Sequence, residues 1–197
     1  KAVAQEVDPT VAPATTTSPD GLSTTDGTRT LSVSQAAGLD PAGQTVTITG
    51  SGYDVAKGVY VALCAVPAPH QPPTPCGGGA DTTGGSGASS WISSDPPSYA
   101  SGLTQPYGPG GTFTLGLTLS PVLSGGVDCR ASRCAVVSRN DHTRSTDRSQ
   151  DIFVPVAFRA DAPAVAPPPT VPPTAPPTTP VPTTVPAPTT TSTTTST

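Results

Sequence analysis

Asp141-His142 is the one place in the chain where an acid adjoins an imidazole, so general acid–base chemistry is sought there first. A catalytic triad also needs a nucleophile and an orienting group, and no residue pattern around this pair supplies them. The pair reads as surface residues of a charged loop. His70 lies in the Pro-rich turn Pro67–Pro75 with no acidic neighbour. Gly77-Gly78-Gly79 has no following Lys-Ser/Thr and is not a phosphate loop. Asp141, Asp147 and Asp151 do not have EF-hand spacing, and Arg139, Arg144 and Arg148 stand among them as counter-charges. No metal, no cofactor and no enzymatic activity are expected.

The four cysteines are the remaining reactive groups. Cys129 and Cys134 are five apart, and Cys64 and Cys76 are twelve apart. Neither gap has the short spacing of a structural zinc site, and the chain has only 2 His. Disulfides are therefore expected, in an oxidising, extracytoplasmic compartment. Four cysteines allow three pairings. Local closure, Cys64–Cys76 with Cys129–Cys134, is the preferred reading. Cys64–Cys134, an inter-sheet bond of immunoglobulin type, is the competitor.

Elements that could position such groups must be small. Charged residues are 11% of the chain, and 20 Gly with 27 Pro leave few large apolar residues. A large enzyme, a helical bundle and a spanning helix of about 18 apolar residues are all excluded. The net charge of −4 gives no footing for direct nucleic-acid binding. Alternating Arg and Asp between 129 and 159 read as a salt-bridged surface loop.

Three segments follow. Residues 1–27 hold Pro9, Pro13, Pro19 and a Thr-Thr-Thr-Ser run, and are expected to be disordered. Ala2-Val3-Ala4 has the form left of a signal-peptidase cut, which with the cysteines implies an exported protein. Residues 162–197 are a Pro/Thr block, with 12 Pro and 13 Thr from position 163 onward. Proline removes donors and fixes φ, so this block is expected to be an extended linker or stalk. Residues 28–161 are the domain. Thr30–Ser34, Gln44–Thr49, Thr112–Leu119, Cys134–Ser138 and Ile152–Phe158 read as short strands. Val59–Ala65 is apolar on both faces, as a central strand requires. Pro155 places the last strand at an edge or bulge. With no helical periodicity, the fold class is all-β, an antiparallel sandwich. Gly77–Gly111 breaks the rhythm with a Gly/Ser/Pro-rich excursion that carries Trp91, Tyr99 and Tyr107, and one weak strand is expected near Ala88–Ser93.

Val46-Thr47-Ile48-Thr49-Gly50-Ser51-Gly52-Tyr53, Val61-Ala62-Leu63-Cys64-Ala65, the Val127-Asp128-Cys129-x4-Cys134 hairpin and the strand ending in Val156-Ala157-Phe158 resemble the neocarzinostatin apoprotein family. The resemblance spans about residues 29–159. It implies a seven-stranded immunoglobulin-like sandwich with two local disulfides. Known members are secreted actinobacterial proteins, several of which carry an enediyne chromophore in a cleft and deliver it to DNA. Carried onto this chain, the cleft walls are Val66, Ala135, Ser138 and the loops around Trp91 and Asp141–Ser149, with His142 in the rim. Three departures concern that cleft. Val66 stands where chromoproteins commonly have an aromatic residue, and Ala135 where Gln is frequent. The segment Ser120–Gly126 has no aromatic residue. Losing those rings removes the stacking surface for a flat polycycle.

The expected function is a secreted or surface-displayed, non-enzymatic module that binds an extracellular partner or small ligand as a monomer. A carrier sequestering an enediyne-type antibiotic is the alternative. A cell-wall hydrolase is the third and weakest option, for want of a triad.

Overall fold

Alternation of apolar with hydroxylated residues gives each strand one face for a core and one for water. A computed structural model describes residues 8–69, 71–78 and 87–160. His70 and the 162–197 block lie outside the described residues. Ten strands are present among those described: β1 (Thr16–Thr17), β2 (Ser23–Thr25), β3 (Thr30–Val33), β4 (Gln44–Ser51), β5 (Val59–Ala65), β6 (Ser89–Ile92), β7 (Thr104–Gln105), β8 (Phe113–Leu119), β9 (Cys134–Asn140) and β10 (Ile152–Val156). They form two sheets, in the orders β1-β2-β3-β4-β8 and β10-β9-β5-β6-β7. All neighbours pair antiparallel except β6 and β7.

The core lies between the sheets. Leu31, Val33, Val46, Ile48, Leu115, Leu117 and Leu119 face Val59, Val61, Leu63, Ile92, Val136, Ile152 and Val154 across it, all buried. The outer face of the first sheet is hydroxylated, and Thr45 and Thr118 join hydroxyls across β4 and β8 at 3.0 Å. Pro155 lies on β10, which pairs only with β9, so the donor it lacks is missing from no inner ladder. Both disulfides are local, Cys64–Cys76 and Cys129–Cys134.

Three findings correct the sequence reading. Residues 8–27 are not a featureless tail: β1 and β2 form a hairpin that extends the first sheet beyond β3. Its turn is Ser18-Pro19-Asp20-Gly21, where Gly21 N–H donates to the Ser18 carbonyl and the Asp20 carboxylate accepts from Leu22 N–H. Proline at the second turn position and glycine at the fourth are a turn signal in their own right, which a count of Pro and Thr conceals. The strand expected near Ala88–Ser93 is β6 and leaves β5 central as expected, but the excursion from Gly77 to Gly111 also contributes a second strand, β7, to the second sheet. Among the described residues the strand count is therefore ten rather than seven. Setting aside the short β1, β2 and β7 leaves seven, three in one sheet and four in the other.

Gly111 fixes how the chain returns to the first sheet before β8. Its φ is +65°, and a Cβ there would sit 2.0 Å from the Tyr53 carbonyl oxygen. Gly111→Ala is expected to cost at least about 2 kcal/mol, measured by urea unfolding with the disulfides intact. A variant as stable as the wild type would show that the backbone contact is not tight.

Candidate functional site

The pleat of the second sheet divides its residues by parity. On β5, Val59, Val61 and Leu63 enter the core, and Tyr60, Ala62 and Cys64 point to the outer face. On β9 the even positions Cys134 and Val136 face inward, and Ala135 and Val137 outward. Registers Tyr60↔Arg139, Ala62↔Val137, Cys64↔Ala135 and Tyr60↔Trp91 set these side chains in rows across the outer face.

That face has two ends of different character. At one, Ala62, Cys64, Ala135 and Val137 form a small cluster, each at most 6% exposed, with Val66, Cys76 and Phe153 packed on it. The loop closed by Cys64–Cys76 is tied down here. Ala65 N–H donates to the Pro75 carbonyl, and the Arg139 guanidinium to that of Pro73. The end of the outer face that holds Ala135 and Val66 is therefore covered by Cys76 of this loop together with Phe153.

At the other end four rings meet. Trp91 lies 5.5 Å from Tyr60 and 5.1 Å from His142, centroid to centroid, and His142 lies 6.0 Å from Tyr60 and 6.2 Å from Tyr99. The Tyr60 hydroxyl is 2.5 Å from His142 Nδ1, and the Tyr99 hydroxyl 2.6 Å from Nε2. A neutral imidazole donates through one nitrogen and accepts through the other, so one tyrosine is donor and one acceptor. The Trp91 indole donates to Asp141 Oδ2 at 2.9 Å. Asp141 Oδ1 accepts from Thr143 N–H and its hydroxyl, at 2.9 and 2.6 Å, capping a short 3-10 turn, His142–Arg144. Asp141 is buried, Tyr60 and Trp91 are half-buried, and Tyr99 and His142 are exposed. Burial, the Asp141 carboxylate and Tyr99 push the Tyr60 phenol up to about 12, so it stays neutral.

Beside this cluster is a half-open cavity of about 250 Å³ lined by Val55, Ala56, Gly58, Ser93, Asp95, Pro96, Pro97, Asp141, Thr143 and Arg144. Asp141 belongs to both features. Gly58 makes room for its carboxylate: a Cβ there would lie 2.0 Å from Oδ2.

The loop from 141 to 151 is held from beneath by a buried polar chain. The Tyr53 hydroxyl meets Ser138 Oγ at 2.8 Å, and Ser138 Oγ donates to the Gln150 carbonyl at 2.9 Å. Gln150 Nε2 reaches Asn140 Oδ1, and Asn140 Nδ2 donates to the Asp147 carbonyl. Lys57 donates to Asp147 and Ser149. Burial opposes ionisation of Asp147, yet hydrogen bonds from Lys57 and Ser149 hold its carboxyl below the usual carboxylate range. Asp151 pairs with Arg148, but both are buried and Asp151 Oδ1 has no partner, and burial pushes this carboxyl up to about 6. The Arg148–Asp151 pair is thus interior, where the sequence reading places it on the surface.

Of the residues assigned to the cleft, Trp91, Asp141 and His142 come together. Ala135 and Val66 share the outer face at its filled end, where Ala135 is fully buried. Ser138 does not belong to the cleft: its parity sends it inward, to Tyr53. Ala135 and Ser138 are three apart and cannot face the same side of a strand. Sequence reasoning missed Tyr60 and Tyr99 as partners of His142. The out-of-phase Tyr60 in Val59-Tyr60-Val61 was the available signal.

A two-sheet all-β sandwich with two local disulfides and a polar-capped outer face is the class these features define. The neocarzinostatin family model matches residues 31–158, and the chain belongs to the neocarzinostatin family. The solved structure of macromomycin is similar at 20% identity, over 66% of this chain and 99% of that one, with a TM-score of 0.43. No curated protein sequence matches.

Gly58→Ala should break the Trp91–Asp141 bond, because the new methyl occupies the carboxylate's place. A red shift of Trp91 emission and a loss of about 1–3 kcal/mol in unfolding experiments are expected. Asp151 makes stability depend on pH in a defined window. Its folded pKa, about 6, exceeds the unfolded value of about 3.9, so the native state binds the extra proton between them. Its contribution is fully present below about pH 4 and lost as pH rises through about 6. The melting temperature should fall across that interval, and Asp151→Asn should flatten the slope. A melting temperature rising with pH there would contradict the assignment.

Proposed function

We propose that this chain is a secreted or surface-displayed, non-enzymatic β-sandwich module that binds a ligand or partner on the outer face of its second sheet, around Trp91. The aromatic cluster carries this reading. Rings from β5, β6, the 3-10 turn at Ser98–Ala100 and the loop after β9 converge with part of their surface open to water. Their polar atoms are tied to one another, which fixes the rings in place before any ligand arrives and lowers the cost of binding. His142 has both ring nitrogens engaged by phenols, and no Ser or Cys nucleophile adjoins it among the described residues. Export is supported by the two disulfides.

Membership of the neocarzinostatin family favours a second reading, a carrier that sequesters an enediyne-type molecule. The covered end at Ala62, Ala135 and Val137 weighs against deep sequestration and in favour of binding at the open, aromatic end.

The chain has 1 Trp, so its emission reports the site directly. Titration with a stable planar aromatic analogue of an enediyne chromophore should give a saturable change in Trp91 emission, weakened in Tyr99→Ala. A micromolar interaction, about 8 kcal/mol, with a raised melting temperature would instead support the carrier. No change with this probe and none with any other ligand would overturn the reading of this face as a binding site.

A further inference from the structure

We propose that the aromatic end and the adjoining cavity together form a site for an oligosaccharide of equatorially substituted, β-1,4-linked pyranose rings. This rests on the outer-face reading above and names the ligand class for it.

Two loops contribute to both features. Asp95 to Pro97 wall the cavity and lead into the turn that carries Tyr99. His142 belongs to the rings, and the next residues, Thr143 and Arg144, wall the cavity. Asp141 stands between, its Oδ2 held by the Trp91 indole. A ligand longer than one ring can therefore lie on the rings and enter the cavity without a gap.

The two parts offer opposite chemistry. In the ring cluster the indole N–H, both phenol hydroxyls and both imidazole nitrogens are engaged internally, so what remains for a ligand is ring surface. In the cavity, the Ser93 hydroxyl, the Asp95 carboxylate and the Arg144 guanidinium have no side-chain partner among the described residues. A pyranose with equatorial hydroxyls has this same division. Its faces are axial C–H groups, suited to aromatic rings, and its rim is a band of hydroxyls that both donate and accept. A carboxylate takes the donors, and a planar guanidinium serves the acceptors in pairs. Asp95 and Asp141 disfavour a strongly anionic ligand. The volume of about 250 Å³ lies below the roughly 300–1,000 Å³ of drug-sized pockets and suits one ring.

The test uses the full chain, Trp91 emission and four probes: cellotetraose, chitotetraose, the α-linked maltotetraose and a proline-rich peptide. A saturable response to the β-1,4 tetraoses, and none to maltotetraose, is expected at concentrations up to about 10 mM. Tyr99→Ala should weaken it about tenfold, and Asp95→Ala or Arg144→Ala about fivefold, with unchanged melting temperatures. These three residues are exposed, so folding is not at stake. The planar aromatic probe separates the two readings. If it binds and the tetraoses do not, the saccharide assignment fails and the binding face stands. Tetraose binding indifferent to Asp95 and Arg144 would remove the cavity from the site and overturn the proposal. So would binding of the proline-rich peptide in place of the sugars, which would make the face a groove for an extended protein segment.

Discussion

The double burial of β5 is the constraint on which the rest of the structure depends. A strand sends alternate side chains to opposite faces, and in Val59–Ala65 both sets are withdrawn from water except at Tyr60 and, partly, at the terminal Ala65. One face meets the first sheet. The other needs a separate cover, and no third layer provides one among the described residues. The loop that ends in Cys76 covers it, and the bond to Cys64 on β5 itself keeps that cover in place. Closing a loop of this size by a disulfide contributes roughly 2–4 kcal/mol, mainly by restricting the unfolded chain.

The cover is local, and its reach divides the outer face. It protects the small side chains Ala62, Ala135 and Val137 and stops short of Tyr60 and Trp91. A face lined by alanine and valine offers a polycycle little area even when open, whereas the aromatic end keeps its rings at the surface.

Rigidity at the open end comes from polar groups rather than from apolar area. Asp141 orients Trp91, His142 links Tyr60 to Tyr99, and the chain from Tyr53 through Ser138, Gln150 and Asn140 holds the loop that carries both. Buried polar groups cost free energy unless they are paired, and in this chain nearly all are. Among the described residues Asp151 is the exception, with one orphaned oxygen, and burial of its carboxyl raises its pKa.

The sequence by itself determined the fold class, six of the strands and the central place of β5, placed Pro155 at an edge or bulge, and favoured the local disulfides over Cys64–Cys134. Each of these is written in neighbouring residues: a period of two, a missing donor, a short Cys spacing. It hid the β1–β2 hairpin under a Pro/Thr count, although Pro19-Asp20-Gly21 was there to be read. The site was legible only in part. Trp91 and the Asp141-His142 pair are legible as parts of one cleft but not in their mutual contacts, and strand parity along β9 sends Ser138 inward, away from Ala135. Only the tertiary structure could bring Tyr60, Trp91, Tyr99 and His142 together, since they come from four segments with no shared spacing. Sheet register, Tyr60 opposite Trp91 and Arg139, makes neighbours of residues tens of positions apart. Register is set by the whole hydrophobic pattern and by the turns, not by any of the residues it assembles.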